Sequence, residues 1–317
     1  TLHLDAPVEL DLEAFRLQEP DRPAAHALFK ELEFQALARA YAPEAETAAA
    51  EHRLLTTRPE IEAVVAEARQ AKRVALGVVV TSPQAMRARA LGIALAWGGR
   101  SAYVPLAHSA IDVPQAPSRE ETLEALRPLL EDEKVRKASA HAKRDRVVLE
   151  RLGVRVAPLA FDALVASYLL DPGRRAYALE DLAMEHVGER RPAGTDGVAA
   201  AEAAAVPTGQ AAGGEAELVL RLDRPMTERL EAEGLLPIYE EMEMPLVEVL
   251  ADLERAGVKV DTALLRSMSR DMEAQLAVLT KDIHRLAKGE FNINSPPQLR
   301  EVLFDRLGLQ AGKKTAK

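Results

Sequence analysis

The chain has 317 residues, of which 48% are hydrophobic, 29% charged and 4% aromatic, and its formal net charge is −9. This composition predicts an ordinary soluble protein with about two structural units, and the few aromatic residues favour helices over an all-β fold. The absence of cysteine excludes disulfides and thiolate metal sites and favours a cytoplasmic location, and the chain has neither a membrane-length apolar run nor a start typical of a signal peptide.

Two kinds of segment precede the main domain. Residues 1–41 contain a short alternating strand at Leu2 and Leu4, and then one amphipathic helix whose apolar side carries Leu28, Leu32, Phe34 and Leu37. Residues 42–59 are rich in Ala, Glu and Thr, with a proline near each end. This composition predicts a mobile linker.

Residues 60–232 predict an α/β domain with a mixed sheet. The apolar run 73–80 is typical of a buried strand, and Gly98-Gly99 predicts a hairpin turn between two further strands. In chain order we expect helices over 61–71, 120–130, 143–152 and 161–171, and strands over 73–80, 90–97, 101–105 and 137–141. Residues 188–214 are low in complexity and predict a loose loop.

Residues 233–317 predict a helical region. Apolar residues at helical spacing indicate an antiparallel pair of helices over 243–255 and 261–287, with Gly257 at the turn. A polar Asn-x-Asn-Ser segment follows, in which Ser295 is a good N-cap residue before two prolines. Gly308 ends the short helix, whose apolar side carries Leu299, Val302, Leu303 and Phe304.

The charges are unevenly distributed along the chain. Residues 281–317 hold eight Lys or Arg against four Asp or Glu, a net charge of +4 that leaves −13 for residues 1–280. A basic end on an acidic body is compatible with contact to nucleic-acid phosphates. A solvated lysine-rich tail is the alternative interpretation.

Several segments carry a resemblance to a known family. Phe-Asn-Ile-Asn-Ser-Pro-Pro-Gln-Leu at 291–299 resembles the thumb region of bacterial DNA polymerase I, the family A DNA polymerases, as do residues 238–246 and 253–261. Glu-Asp-Glu-Lys at 131–134 and Tyr-Ala-Leu-Glu-Asp-Leu-Ala at 177–183 are similar to the 3′→5′ proofreading exonuclease domain of that family. Leu-Phe-Lys-Glu-Leu-Glu-Phe at 28–34 is similar to the end of its 5′-nuclease domain.

The resemblance implies a ribonuclease H-like exonuclease domain with a mixed sheet, followed by an all-helical thumb segment. It divides the chain into a 5′-nuclease remnant (1–41), a linker (42–59), an exonuclease-like domain (60–232) and the start of the polymerase domain (233–317). The palm and fingers, which bind the catalytic metals and the incoming nucleotide, would follow Lys317. We therefore expect a fragment or a truncated gene product that cannot polymerise DNA alone, and Mg²⁺ as the cofactor of the full-length polymerase.

The same resemblance locates the exonuclease site. The family binds two divalent ions through Asp-x-Glu on the first strand, an Asp after an Asn-containing strand, and a Tyr-x-x-x-Asp pair. These positions correspond here to Gly77, Val79, His141 in place of Asn, Asp145, Ala211 in place of Tyr, and Glu215. Only Asp145 and Glu215, as weak metal candidates, keep a carboxylate. The resemblance thus implies an inactive domain with no catalytic residue and no bound metal.

Asp145 also has two other interpretations. Its neighbours Arg144 and Arg146 predict a surface ion pair. A metal pair with His141 at i, i+4 is the alternative, but no third ligand is evident, and a lone histidine is more typical of a hydrogen-bonded structural residue.

The resemblance implies that short polar and basic side chains of the thumb segment contact a primer–template duplex. Such groups bind phosphates or minor-groove acceptors and accept any sequence. We expect Ser295 to cap its helix and leave the two asparagines to DNA. The residues concerned are Asn292, Asn294, Ser295, Gln298, Lys313, Lys314 and Lys317.

Three hypotheses follow. The first is a part of a DNA polymerase I in which an inactive proofreading-like domain accompanies duplex-gripping thumb residues. The second is a divergent but active metal-dependent 3′→5′ exonuclease with ligands among Asp145, Asp162, Asp181, Glu215 and Glu217. The third is a non-catalytic DNA-binding protein that arose by truncation.

Overall fold

A computed structural model of the protein describes residues 20–32, 34–41, 51–108, 116–174, 176–189 and 204–310. Tertiary contacts divide the chain into two compact units, Thr1–Ala256 and Gly257–Lys317. In the part of the chain that the structure describes, no helix has the length and apolar character needed to cross a membrane.

The first unit is built on a six-stranded sheet with the strand order β1-β4-β3-β2-β5-β6. The β2–β3 and β3–β4 pairs are antiparallel, and the other three pairs are parallel, so the sheet is mixed as predicted. Every residue of β3 is buried, which places this strand at the centre of the core. The strands are β1 (Glu51–Leu54), β2 (Arg73–Val80), β3 (Ala90–Trp97), β4 (Arg100–Pro105), β5 (Arg136–Ser139) and β6 (Leu159–Asp162).

Helices cover the sheet and precede it in the chain. They are α1 (Arg22–Glu31), α2 (Gln35–Tyr41), α3 (Arg58–Gln70), α4 (Arg119–Leu130), α5 (Ala142–Arg151), α6 (Ala163–Leu170), α7 (Leu179–Leu182), α8 (Ala205–Ala232) and α9 (Met244–Ala256). A π-helical turn, Ala183–Val187, continues α7, and the helical turns Leu236–Ile238 and Tyr239–Glu243 lead into α9. At the start of α4, Ser118 Oγ accepts a hydrogen bond from the Glu121 amide at 3.3 Å, as expected of an N-cap serine.

Three expectations for the helices and the linker of the first unit were wrong. The single amphipathic helix near the start is two helices, α1 and α2, and the strand at Leu2 and Leu4 lies outside the described residues. Residues 51–54, placed in the linker 42–59, form edge strand β1 parallel to β4. The helix predicted over 161–171 begins only at Ala163, because Asp162 accepts the amides of Leu164 and Val165 at 2.8 and 3.0 Å as its N-cap.

The loose loop predicted over 188–214 is also wrong from residue 204 onward, where α8 begins. The glycines of its first turns let the helix lie close to the sheet. A Cβ added at Gly209 would lie 2.9 Å from the Tyr103 Cβ, and one at Gly213 would lie 2.6 Å from His52 Nδ1. Small residues that resemble low-complexity sequence therefore form a close helix–sheet contact.

Helix α9 packs on α5, although the sequence analysis assigned residues 233–256 to the start of the thumb. Arg146 is buried and pairs with Glu150 and Glu248, each at 2.9 Å. Arg255 pairs with Glu150 at 2.6 Å, which adds a second ionic contact between the two helices. The contacts thus group α9 with the sheet, and the thumb boundary at residue 233 stays a prediction.

The second unit contains α10 (Thr262–Leu286) and α11 (Pro296–Arg300), which a π-helical turn, Glu301–Arg306, continues. Asp261 caps α10 by accepting the amides of Ala263 and Leu264 at 3.0 Å. Gly257 and Gly308 have φ values of 67° and 63°, the left-handed conformation that the predicted turn and helix end require. No residue of α10 is buried.

We expect Gly209→Ala to destabilise the first unit by about 1–3 kcal/mol, because the added methyl group overpacks the contact with Tyr103. In an isolated helix, Gly→Ala stabilises the helix by about 1 kcal/mol. The expected change in the free energy of unfolding is therefore opposite in sign to the one that helix propensity alone predicts. Urea unfolding followed by the fluorescence of Trp97, the one tryptophan and a buried residue of β3, measures it. Gln210→Ala, at an exposed position of α8, is the control. A Gly209→Ala variant as stable as the parent would contradict the close contact.

Candidate functional site

A cleft of about 550 Å³ lies where β2, the start of α5 and the first turns of α8 meet. These three elements are far apart in sequence. The six positions that the resemblance singled out all line this cleft: Gly77, Val79, His141, Asp145, Ala211 and Glu215. The structure therefore brings the expected positions to one place, while their chemical role is a separate question.

The β2 side of the cleft has no carboxylate. Gly77 and Val79 alternate with the buried Leu76 and Val78 along β2, and they are partly exposed. A Cβ added at Gly77 would meet no heavy atom within 4 Å, so a larger side chain would have room there. Neither glycine nor valine offers a side-chain oxygen to a metal ion.

Asp145 is buried, with 1% of its surface exposed, so the predicted surface ion pair is wrong in its location. Arg144 donates from Nε and Nη2 to Asp145 Oδ1 at 2.9 and 2.8 Å, and Ser139 Oγ donates to Oδ2 at 2.9 Å. Arg146 makes no part of this contact, because its guanidinium pairs with Glu150 and Glu248. Both carboxylate oxygens of Asp145 are thus hydrogen-bonded within the protein.

His141 lies between β5 and α5, at the N-cap position of the helix, with its side chain exposed. Its backbone amide donates to Ser139 Oγ at 2.9 Å, so the serine links it to Asp145. The imidazole of His141 is thus exposed, whereas the carboxylate of Asp145 is buried. Among the described residues, no group of three or more His, Cys, Asp or Glu is placed to hold a metal ion.

Ala211 and Glu215 lie one turn apart on α8, and Tyr177 and Glu180 line the cleft beside them. Alanine cannot orient a water molecule as the family's tyrosine does. Tyr177 does not replace that tyrosine, because its hydroxyl donates to the Asp171 carbonyl at 3.0 Å and its ring packs edge-on against Tyr168.

Asp162, one of the alternative ligands, has a structural role. Its Oδ2 accepts the Ala142 amide at the start of α5 at 2.7 Å, while Oδ1 caps α6. Its backbone amide donates to the Tyr239 hydroxyl at 2.7 Å. Burial raises the pKa of Asp162 to about 7, an effect that nearby Asp145 increases and the three amide hydrogen bonds oppose. Neither Asp181 nor Glu217 is among the residues that line the cleft.

The second unit presents the polar residues predicted to contact DNA. Asn292 Oδ1 accepts the Asn294 amide at 3.0 Å, and Gln298 Oε1 accepts the Asn292 amide at 2.8 Å. Ser295 occupies the N-cap position of α11, but its hydroxyl makes no capping hydrogen bond, so that expectation was wrong. Asn292, Asn294 and Gln298 are exposed. Lys313, Lys314 and Lys317 lie outside the described residues.

Sequence reasoning did not find the roles of Arg144 and Asp162. The structure gives Arg144 two hydrogen bonds to Asp145 on the same helix and a third, from Nη2 to the Val78 carbonyl on β2 at 3.3 Å. For Asp162 a signal was present, because aspartate directly before a helical run is a typical N-cap. For Arg144 no sequence pattern indicates which of two adjacent arginines turns toward the cleft.

Comparisons with known proteins agree with this architecture. Residues 86–190 match the family model of the ribonuclease H-like domain of DNA polymerase I, and residues 262–317 match that of DNA polymerase family A. The DNA polymerase I of Pseudomonas aeruginosa is 35% identical over 98% of this chain and 37% of its own length. The thermostable DNA polymerase I of Thermus thermophilus is 32% identical over 100% of this chain and 31% of its own length.

A solved structure with the same fold is the POL domain of Pol1 from M. smegmatis in complex with DNA primer-template and dNTP. It superposes with a TM-score of 0.65 and 25% identity, over 83% of this chain and 42% of that chain. The sheet order, the lining of the cleft and these matches define a protein of the family A DNA polymerases. Within that class the chain belongs to the bacterial DNA polymerase I family, and it holds an exonuclease region and part of a polymerase region.

The fold and family expectations are therefore confirmed, including the ribonuclease H-like domain with a mixed sheet and the helical segment after it. The chain spans about a third of the length of these relatives. The domain boundaries and the roles of the individual residues in the cleft stay predictions.

We expect the titration of Asp162 to make the first unit less stable as pH rises from about 4 to about 7, because its folded pKa of about 7 lies above the ordinary value of 3.8. Asp162→Asn removes this titration. The free energy of unfolding of the parent minus that of the variant should therefore fall with pH across this window, by at most about 1.4 kcal/mol per pH unit.

Urea unfolding from pH 4 to pH 8, followed by Trp97 fluorescence, measures this difference. The exposed Asp171→Asn is the matched control and should not give the same fall. A difference that rises with pH would contradict the assigned direction of the Asp162 shift.

Proposed function

We propose that this chain is a non-nucleolytic scaffold and duplex-gripping part of a DNA polymerase I. The observation that carries the proposal is the composition of the cleft. Gly77 and Val79 stand on the strand from which the family supplies two metal-binding acids, and the remaining acid on α5, Asp145, is already bonded to Arg144 and Ser139.

The ligands that metal-assisted phosphodiester hydrolysis requires support the proposal of a non-nucleolytic chain. Two-metal sites hold their ions about 3.5–4 Å apart, and each hard cation takes several oxygen ligands. The cleft offers only Asp145 and Glu215 at the four acid positions, and both oxygens of Asp145 accept hydrogen bonds from the protein. The residues present do not fit a two-metal site.

The active exonuclease is the weaker alternative for the same reason. Of its additional candidate ligands, Asp162 uses its carboxylate to cap two helices. Asp181 and Glu217 do not line the cleft. An active enzyme would therefore need a different constellation of ligands from the one that the structure gathers.

We also propose primer–template DNA as the partner of the second unit. The M. smegmatis Pol1 domain is described as a complex with primer-template. In this chain the oxygens of Asn292 and Gln298 accept backbone amides, so their NH₂ groups are the donors suited to phosphate or minor-groove oxygens. Lys313, Lys314 and Lys317 would add phosphate contacts. Polymerisation with Mg²⁺ and a cytoplasmic location are proposed for the whole protein.

We expect no shortening of 3′-labelled single-stranded DNA by the purified chain with Mg²⁺ or Mn²⁺. The physical reason is that the cleft lacks the ligands for two ions. Denaturing gel electrophoresis measures the product lengths, with Asp145→Ala assayed in parallel. Metal-dependent shortening that co-purifies with the parent chain would overturn the proposal, and its loss in Asp145→Ala would assign it to this cleft.

We expect Lys313→Ala/Lys314→Ala to weaken duplex binding and to reduce the slope of log K against log salt by about 2, since each phosphate contact contributes about 0.9. Fluorescence anisotropy with a labelled primer–template at several salt concentrations measures both quantities. Lys72→Ala/Lys134→Ala, which removes two exposed charges from the first unit, is the matched control. An equal loss of slope in both double variants would contradict a specific role for residues 313 and 314.

A further inference from the structure

We propose that the Arg144 guanidinium is a built-in cation that takes the place of divalent metal as the counter-charge of Asp145. The cleft is then blocked to metal as well as depleted of ligands. The inference concerns the state of the cleft, and its test by metal binding is independent of the nuclease and DNA-binding assays.

The first argument is geometric. Arg144 lies on α5 beside Asp145, and its Nε and Nη2 donate to Asp145 Oδ1 at 2.9 and 2.8 Å. The same Nη2 reaches the Val78 carbonyl on β2 at 3.3 Å. Val78 lies between Gly77 and Val79. A cation shared by residue 145 and residues 77 and 79 would need the space between α5 and β2, and the guanidinium spans that space.

The second argument is electrostatic. The Asp145 side chain is only 1% exposed, and that of Arg144 is 24% exposed. An ionised carboxylate at such a depth is stable only with a counter-charge and hydrogen bonds to its oxygens. Arg144 supplies the charge with a rigid planar group, and Ser139 satisfies the second oxygen. Asp145 is therefore fully supported without a metal ion.

The third argument concerns what the two lost acids would do if they were restored. A side chain at residue 77 meets no heavy atom within 4 Å of its Cβ, so an aspartate fits. Next to the guanidinium, however, new carboxylates at 77 and 79 would pair with Arg144 instead of gathering a divalent ion. Ligand loss and arginine occupancy are then two separate barriers, and both must be removed to recover a metal site.

Metal binding by three proteins tests this directly, with Mn²⁺ as the probe and electron paramagnetic resonance of free Mn²⁺ as the readout. The proteins are the parent chain, Gly77→Asp/Val79→Glu, and Gly77→Asp/Val79→Glu/Arg144→Gln. We expect the triple variant to bind Mn²⁺ at least about tenfold more tightly than the double variant, a difference of about 1.4 kcal/mol. Equal affinity of the double and triple variants, whether tight or weak, would overturn the proposal.

A thermal-unfolding cycle keeps the proposal testable if the triple variant does not fold. We expect Arg144→Gln to lower Tm in the parent, because it leaves the buried Asp145 carboxylate without its counter-charge, and to lower it by less than half as much when Asp145 is already Asn. Arg151→Gln is the control on the same helix, since Arg151 donates to the Ala85 and Ala88 carbonyls at 2.8 and 2.9 Å and does not contact Asp145 among the described residues. Equal losses of Tm from Arg144→Gln in both backgrounds would show that Arg144 does not serve Asp145, and would overturn the proposal.

Discussion

The arrangement of the first unit depends on one buried carboxylate. Asp162 ends β6, and its two oxygens accept amides from the starts of both α5 and α6. Its backbone amide and carbonyl both bond to the Tyr239 hydroxyl, at 2.7 and 3.2 Å, in the helical turn before α9. A single residue therefore fixes the origin of the helix that carries Arg144 and Asp145 and ties it to the segment that follows α8. Because helix N-termini offer unpaired N–H groups, an aspartate is well suited to join two of them.

The cleft gathers the six positions expected from the family's motifs but carries few of the expected side chains. The strand, the two helices and the relative placement of the six positions are all present. The change is in charge, since the β2 side is neutral and the one buried acid has an arginine partner. Of the six positions that line it, only Asp145 and Glu215 carry a carboxylate.

The sequence predicted those parts whose apolar pattern is continuous. β2 and β3 are apolar runs, β4 follows the Gly98-Gly99 turn, and α10 follows regular helical spacing, so these elements came out with nearly the observed bounds. β1 is a short polar edge strand, Glu-His-Arg-Leu, and has no pattern of its own. The start of α8 is rich in Gly and Ala and contains Pro207, a composition typical of loops, and its contacts with Tyr103 and His52 show why small residues are needed there. Local composition does not report contacts with residues far along the chain.

The resemblance indicated which positions form the candidate site, but it did not indicate the burial or the ion pairing of their side chains. Gly77, Val79 and Asp145, which the resemblance singled out from motif spacing, line one cleft in the structure, while their roles stay predictions. The burial of Asp145 and the choice between Arg144 and Arg146 depend on which side of α5 faces the sheet edge and which faces α9. That orientation is a tertiary property, and adjacent arginines look identical in sequence.

The two sides of α5 have different tolerance to substitution. One side faces the cleft, where Gly77 opposes open space and Asp145 is held by a partner on its own helix. The other side carries Arg146 and Glu150, which are locked to Glu248 and Arg255 of α9. A substitution at the open position 77 should therefore disturb folding less than a substitution of the residues that attach α5 to α9. The attachment of α5 to its neighbouring helix therefore does not depend on the residues that line the cleft.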